Sequence, residues 1–204
     1  MESRLKSWTR EIKHNKRAII ISILFLALAI VFNMIAGNYV DKTASVSVPD
    51  MILDNTPVIN LQFLFVYGSL LMAAVLFLYP LFFKVNEFHV VLSQSSLLII
   101  IRSFFVMLTH LKIPTNAIII SVPKFYELIN YNNDLFFSGH VATAFLGFLI
   151  FRKQKIGLFF LFATFVMATT VLLMHLHYSI DVFAALFITY GSYSIGKWFF
   201  EKID

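Results

Sequence analysis

Two short polar islands interrupt an otherwise apolar chain: Ser138-Gly139-His140, and the stretch from His177 through Tyr178 to Asp181. Their residue types suit nucleophilic and acid–base chemistry. His177 and Asp181 stand four apart, so on a helix they share one face. The carboxylate then takes a hydrogen bond from one imidazole nitrogen and leaves the other as nucleophile or ligand. His140 comes from a separate stretch and supplies a second acid or base. Ser138 and Gly139 precede it, where glycine admits close approach of the backbone and exposed N–H groups suit an anion. A nucleophile oriented by a carboxylate, with an independent histidine able to protonate a leaving oxygen, is what phosphoryl transfer through a phosphohistidine requires. The remaining need is a cation for the phosphate. Arg102 is the only Lys or Arg inside an apolar span away from its ends, and an intramembrane cation is a functional candidate by default.

The same residues admit plainer readings. His177 with Asp181 is also a structural hydrogen bond between helices; His140, His177 and Asp181 also suit zinc; and Arg102 also suits a snorkelling role or a pairing with a carboxylate such as Asp134. His175 lies two residues from His177, which on a helix points it to nearly the opposite side, so it is expected to be interfacial. His110 is expected to be interfacial as well, and His14 and His89 fall at the wrong end for the two islands. The 24 Phe residues are expected to face lipid or pack helices.

These residues need elements to hold them. The 204 residues are 59% hydrophobic and 13% charged, with a mean hydropathy of +0.83, a balance outside that of soluble domains. The expected fold is an all-α membrane protein with six transmembrane helices, at 18–37, 61–83, 90–110, 135–151, 156–175 and 179–200, each near the length that crosses a bilayer. Residues 1–17 form a basic N-terminal segment and 18–204 a single catalytic domain. Arg4, Lys6, Arg10, Lys13, Lys16 and Arg17 place the N-terminus in the cytoplasm by the positive-inside rule. Alternation then puts both termini and twelve cationic residues inside, and three outside: Lys42, Lys112 and Lys124. That asymmetry accounts for the net charge of +5 without nucleic acid. The first apolar run exceeds a secretory h-region and lacks a cleavage site, so it reads as a retained anchor. With no cysteine, neither disulfides nor thiolate metal sites are available. His140, His177 and Asp181 fall on one face of the membrane, the exoplasmic one.

At these residues the sequence resembles the sphingomyelin synthase family, a branch of the type 2 phosphatidic acid phosphatase superfamily. The resemblance runs from about residue 45 to the end. It rests on Asp134 with Ser138-Gly139-His140, followed by His177, Tyr178 and Asp181, which match the family's two active-site motifs in content and order. Arg102 followed by Ile113-Pro114 resembles the arginine of its third span and the proline that closes it. Val48-Pro49-Asp50, with Asp54 beyond, is a weaker echo of its first outer-loop motif. The ordinary phosphatases carry an arginine where Val171 stands here, and their Lys-containing motif is absent. Departures from the synthase branch are Asn132-Asn133 for its Cys-Gly, a missing arginine pair and a single proline in the outer loop.

The resemblance implies six spans, cytoplasmic ends, an exoplasmic active site, and transfer of phosphocholine or phosphoethanolamine from a glycerophospholipid to ceramide or a similar lipid hydroxyl. His177 would be the nucleophile, Asp181 its orienting partner and His140 the acid. Arg102, Ser138 and Gly139 would bind the phosphate, supported by Asp134, Tyr178 and Asp50. No cofactor or metal is implied. The partners are the donor lipid, a ceramide or diacylglycerol-like acceptor and the bilayer. Alternatives are a phospholipase C or lipid phosphate phosphatase that uses water as acceptor, and a non-catalytic lipid transporter or binding protein.

Overall fold

The computed structural model describes residues 4–120 and 135–200. The described part is all-helical. Its only extended pairing is an isolated parallel bridge between Val46 and Leu111. The described residues form seven helices, α1 (Arg4–His14), α2 (Lys16–Thr43), α3 (Gln62–Phe83), α4 (Val85–Met107), α5 (Gly139–Phe151), α6 (Lys155–Leu173) and α7 (Ser179–Phe200), and a single 3₁₀ turn at Leu53–Asn55.

Four of these helices, α2, α3, α4 and α6, are long and apolar enough to cross a membrane. The six expected apolar segments all contain helix, with informative differences. α5 has 13 residues, about 20 Å at 1.5 Å per residue, against a hydrocarbon core of about 30 Å. Its start is delayed to Gly139 because Leu135–Ser138 run as a buried, non-helical lead-in, with Phe136 at a φ of 121°. α7 has the length but breaks its apolar run with Asp181, Thr189, Ser192 and Ser194. α4 starts earlier than expected and ends at Met107, seven residues before Pro114, so that proline does not close the helix. Thr109 sits past the helix end instead, its hydroxyl bonding Val106 O and Leu135 O. The basic N-terminal segment is not featureless: it forms α1, which packs on α4 and α2, and Trp8 Nε1–H donates to Leu81 O.

α4 is the hub, packed by α1, α2, α3, α5 and α7. α2 approaches it through a seam of small side chains, Ser22, Ala29 and Ala36 at seven-residue spacing, and Ser22 Oγ lies 2.8 Å from Ser93 Oγ. Small residues let two backbones come close enough for dispersion and hydroxyl bonds to hold helices together where there is no water to expel. The outer face of α2 leaves Ile21, Leu24, Leu28, Val31 and Ile35 exposed. α5 lies among α6, α7, α4 and α3, and with α3, α6 and α7 it contributes much of the apolar core.

The bundle has two chemically distinct ends. At one, Trp8 meets Leu81, Asn15 meets Asn86, and Gln154 bonds both Glu87 and Tyr79. Lys16, Arg17, Lys84, Arg152, Lys153, Lys155 and Lys197 belong to that end, together with His14 and His89. At the other, the segments 44–61 and 108–118 lie against the starts of α5 and α7.

α5 and α6 approach through Gly147. A Cβ there would lie 2.4 Å from the ring of Phe160, itself fully buried. Gly147→Ala must therefore displace that ring, at a cost of about 1–3 kcal/mol by overpacking. It is expected to lower the thermal unfolding midpoint in detergent, and an unchanged midpoint would contradict this packing.

Candidate active site

The two polar islands meet. The link between α6 and α7 is short because α6 ends in a double-bonded reversal: Leu176 N–H donates to Val171 O and His175 N–H to Leu172 O, with His175 itself at φ 54°. This is the Schellman arrangement, and His175 fills a position that usually takes Gly or Asn. His175 is 4% exposed, with Nε2 buried and unbonded among the described residues, so it is not the interfacial side chain its spacing implied. The turn tucks it beneath the reversal rather than out along a helix.

His177 follows in a bend, two residues before α7 begins. Its Nδ1 lies 3.2 Å from Asp181 Oδ2, and both side chains are buried. The expected pair is therefore formed, but across a helix start rather than along a helix face. A carboxylate only accepts, so Nδ1 carries the proton and the Nε2 lone pair is left for chemistry. The same Oδ2 accepts the Tyr178 N–H at 3.0 Å. Asp181 thus reaches back from the third helical position to the residue that precedes the helix, as the acidic half of a capping box does.

Ser138 N–H donates to Asp181 O at 3.2 Å, which fixes the start of α5 to the first turn of α7. This amide is therefore not open to an anion as the sequence suggested. The Ser138 hydroxyl is buried with no bond among the described residues. Gly139 serves a steric need: a Cβ there would lie 3.0 Å from Arg102 Nε and 3.3 Å from its Cζ. Arg102 reaches in from α4, its Nε–H donating to Phe137 O at 3.1 Å and its guanidinium 5.8 Å from the centre of the Phe137 ring. His140 sits on the first turn of α5 with its ring 4.3 Å from that of Phe65, next to the Gly139 that lies against Arg102. Arg102, His140 and the His177–Asp181 pair thus come from three separate stretches to one end of the bundle. Asp134 lies outside the described residues.

Outer segments brace the site. Asp50 Oδ2 accepts both the N–H and the hydroxyl of Ser179 at 2.8 Å, while its Oδ1 accepts the amides of Ile52 and Leu53. The buried Tyr178 hydroxyl donates to Lys112 O at 2.8 Å and accepts from Val48 N–H at 3.1 Å, tying two outer segments to the nucleophile's neighbour. Phe65 and Ser179 were not foreseen as site residues. Ser179 lies inside the second island and its type was a clue, whereas nothing local marks Phe65. His110 is exposed and bonds Tyr39, in keeping with an interfacial place. Among the described residues no three His, Asp or Glu side chains converge as a metal-ligand set.

Comparison with known proteins assigns no family. No family model, curated protein or solved structure matches the chain.

Burial disfavours the charge on Asp50, but the amides of Leu53, Ser179 and Ile52 and the Ser179 hydroxyl outweigh it and hold the carboxyl below its ordinary value. A depressed carboxyl contributes stability that is fully present above its unfolded pKa and is lost as pH falls through the folded one. Asp50→Asn is thus expected to lower the unfolding midpoint at neutral pH. The gap from wild type should persist at pH 5 and close as the pH falls below about 4, the range of an ordinary carboxyl. A gap independent of pH down to 2 would show that the Asp50 charge does not hold this clasp.

Proposed function

We propose that this chain is an integral membrane phosphotransferase. It moves the phospho-headgroup of a glycerophospholipid, through a phosphorylated His177, to the hydroxyl of ceramide or a similar lipid, as the resemblance to sphingomyelin synthases implies. The carrying observation is the buried His177–Asp181 pair: Nδ1 is held at 3.2 Å by a carboxylate, and Nε2 has no protein partner among the described residues. A structural pair alone needs no second histidine and no cation beside it, yet His140 and Arg102 come to the same end from other helices.

In the proposed cycle the Nε2 lone pair attacks phosphorus while the bond to the diacylglycerol oxygen breaks, and His140 gives its proton to that oxygen. The acceptor hydroxyl then passes its proton to His140 and attacks phosphorus as the phosphorus–nitrogen bond breaks, which returns Nε2 to its starting state. Arg102 offsets the charge on the phosphoryl oxygens. Asp181 stabilises the charged imidazole ring and fixes its tautomer.

The membrane reading is of six spans with both ends cytoplasmic and the histidines exoplasmic. It is supported by the gathering of Lys16, Arg17, Lys84, Arg152, Lys153, Lys155 and Lys197 at the end of the bundle opposite His177.

His177→Ala is expected to abolish turnover of labelled phosphatidylcholine and phosphatidylethanolamine in detergent, together with any alkali-stable phosphoprotein. Asp181→Asn is expected to lower the rate on the order of 10³-fold by freeing the wrong tautomer. Full activity in either variant would refute the mechanism. Appearance of a new phospholipid only when ceramide is supplied marks a transferase, whereas equal headgroup release with and without ceramide marks a phospholipase or phosphatase.

A further inference from the structure

At the cationic end, far from the histidines, a groove of about 330 Å³ runs between the end of α5 and the last turns of α7, lined by Arg152, Tyr190, Tyr193, Ser194, Lys197 and Trp198. We propose that it holds the headgroup of an anionic glycerophospholipid. The proposal rests on the membrane placement above but not on the phosphotransferase chemistry.

Three observations carry it. First, the lining is ordered along the helix. Tyr190, Ser194, Lys197 and Trp198 are spaced four, three and one apart and so form one stripe down α7. From Tyr190 to Lys197 the stripe descends about 10 Å at 1.5 Å per residue, with Trp198 one residue past the cation, so aromatic rings stand on both sides of the hydroxyl and the charge. A cation between rings at a bilayer boundary suits a headgroup phosphate held where acyl chains give way to water.

Second, Arg152 is exposed just past the end of α5 and makes no hydrogen bond or ion pair with any described residue. Its fork of donors suits phosphate oxygens, and basic pockets between spanning helices on the cytoplasmic face are where anionic headgroups collect.

Third, the aromatic rings face outward: Tyr190 is 56% and Trp198 57% exposed, as rings are where headgroups meet acyl chains. A plain role in neutralising helix ends explains Arg152 and Lys197 one at a time. It does not explain why both border a groove together with three aromatic rings.

Trp198 reports on the site once Trp8→Phe removes the chain's other tryptophan. The full chain is placed in nanodiscs of phosphatidylcholine doped with brominated phosphatidylglycerol or, separately, brominated phosphatidylcholine. Quenching of Trp198 should reach half-saturation at an about tenfold lower mole fraction of the brominated anionic lipid. Arg152→Gln with Lys197→Gln should remove that preference. Lys153→Gln with Lys155→Gln, charges on the adjoining turn outside the groove, should leave it intact. Equal quenching by the two lipids, survival of the preference without Arg152 and Lys197, or an equal loss with Lys153 and Lys155 would overturn the site. Failure of the chain to enter nanodiscs would instead refute the membrane placement itself.

Discussion

The rest of the candidate site depends on a single carboxylate. Asp181 is fully buried in a bundle whose interior is mostly apolar, and an ionised carboxylate there is very costly unless hydrogen bonds meet it. One of its oxygens is met twice, by His177 Nδ1 and by the amide of Tyr178. It also lies in the first turn of α7, where helix dipoles favour negative charge. The bond that orients the imidazole and the bond that starts the helix therefore share an oxygen. Helix α7 cannot begin elsewhere without releasing His177, and His177 cannot turn away without uncovering the charge.

That constraint spreads outward through the backbone. The Asp181 carbonyl takes the amide of Ser138, so the start of α5, and His140 with it, is set in register with α7. Gly139 then permits Arg102 of the hub helix to lie against the same turn. On the outer side Asp50 takes the next amide of α7, at Ser179, and the Tyr178 hydroxyl gathers Val48 and Lys112. Each link is local and ordinary. Together they convert a helix cap into a frame that holds two histidines and an arginine from three different helical regions.

The sequence made much of this legible, for physical reasons that also explain the rest. Long apolar runs can satisfy their backbone only as helices, so α2, α3, α4 and α6 could be read directly. Polar residues are costly in such runs, so His140, His177, Asp181 and Arg102 stood out by type. Harder to read was where helices stop. The reversal at His175 relies on a left-handed residue that no glycine advertises, and the late start of α5 depends on Phe136, Phe137 and Ser138 packing out of helical form. α1 was missed because its pattern is polar and short. Asp50 was noticed only through a faint motif, since its partner Ser179 lies 129 residues away, and no local pattern encodes a contact of that separation.

The brevity of α5 bears on which acceptor the site favours. On the proposed membrane placement, Arg152 and the groove beside it sit at the cytoplasmic boundary. A helix of 13 residues rising from there reaches about 20 Å, some 10 Å short of the far edge of the hydrocarbon. His140 and the paired His177 would then lie below the level of bulk water, roofed by the outer segments that Asp50 and Tyr178 fasten down. A hydroxyl on a molecule already anchored in the leaflet arrives at that depth by lateral diffusion and is held near the site by its own chains. Water must be admitted through the roof. An enclosed nucleophile also keeps a phosphorylated intermediate from premature hydrolysis, which hydrolytic enzymes have no reason to avoid. On the proposed placement, the depth of the site and the fastening of its roof fit transfer to a lipid better than hydrolysis.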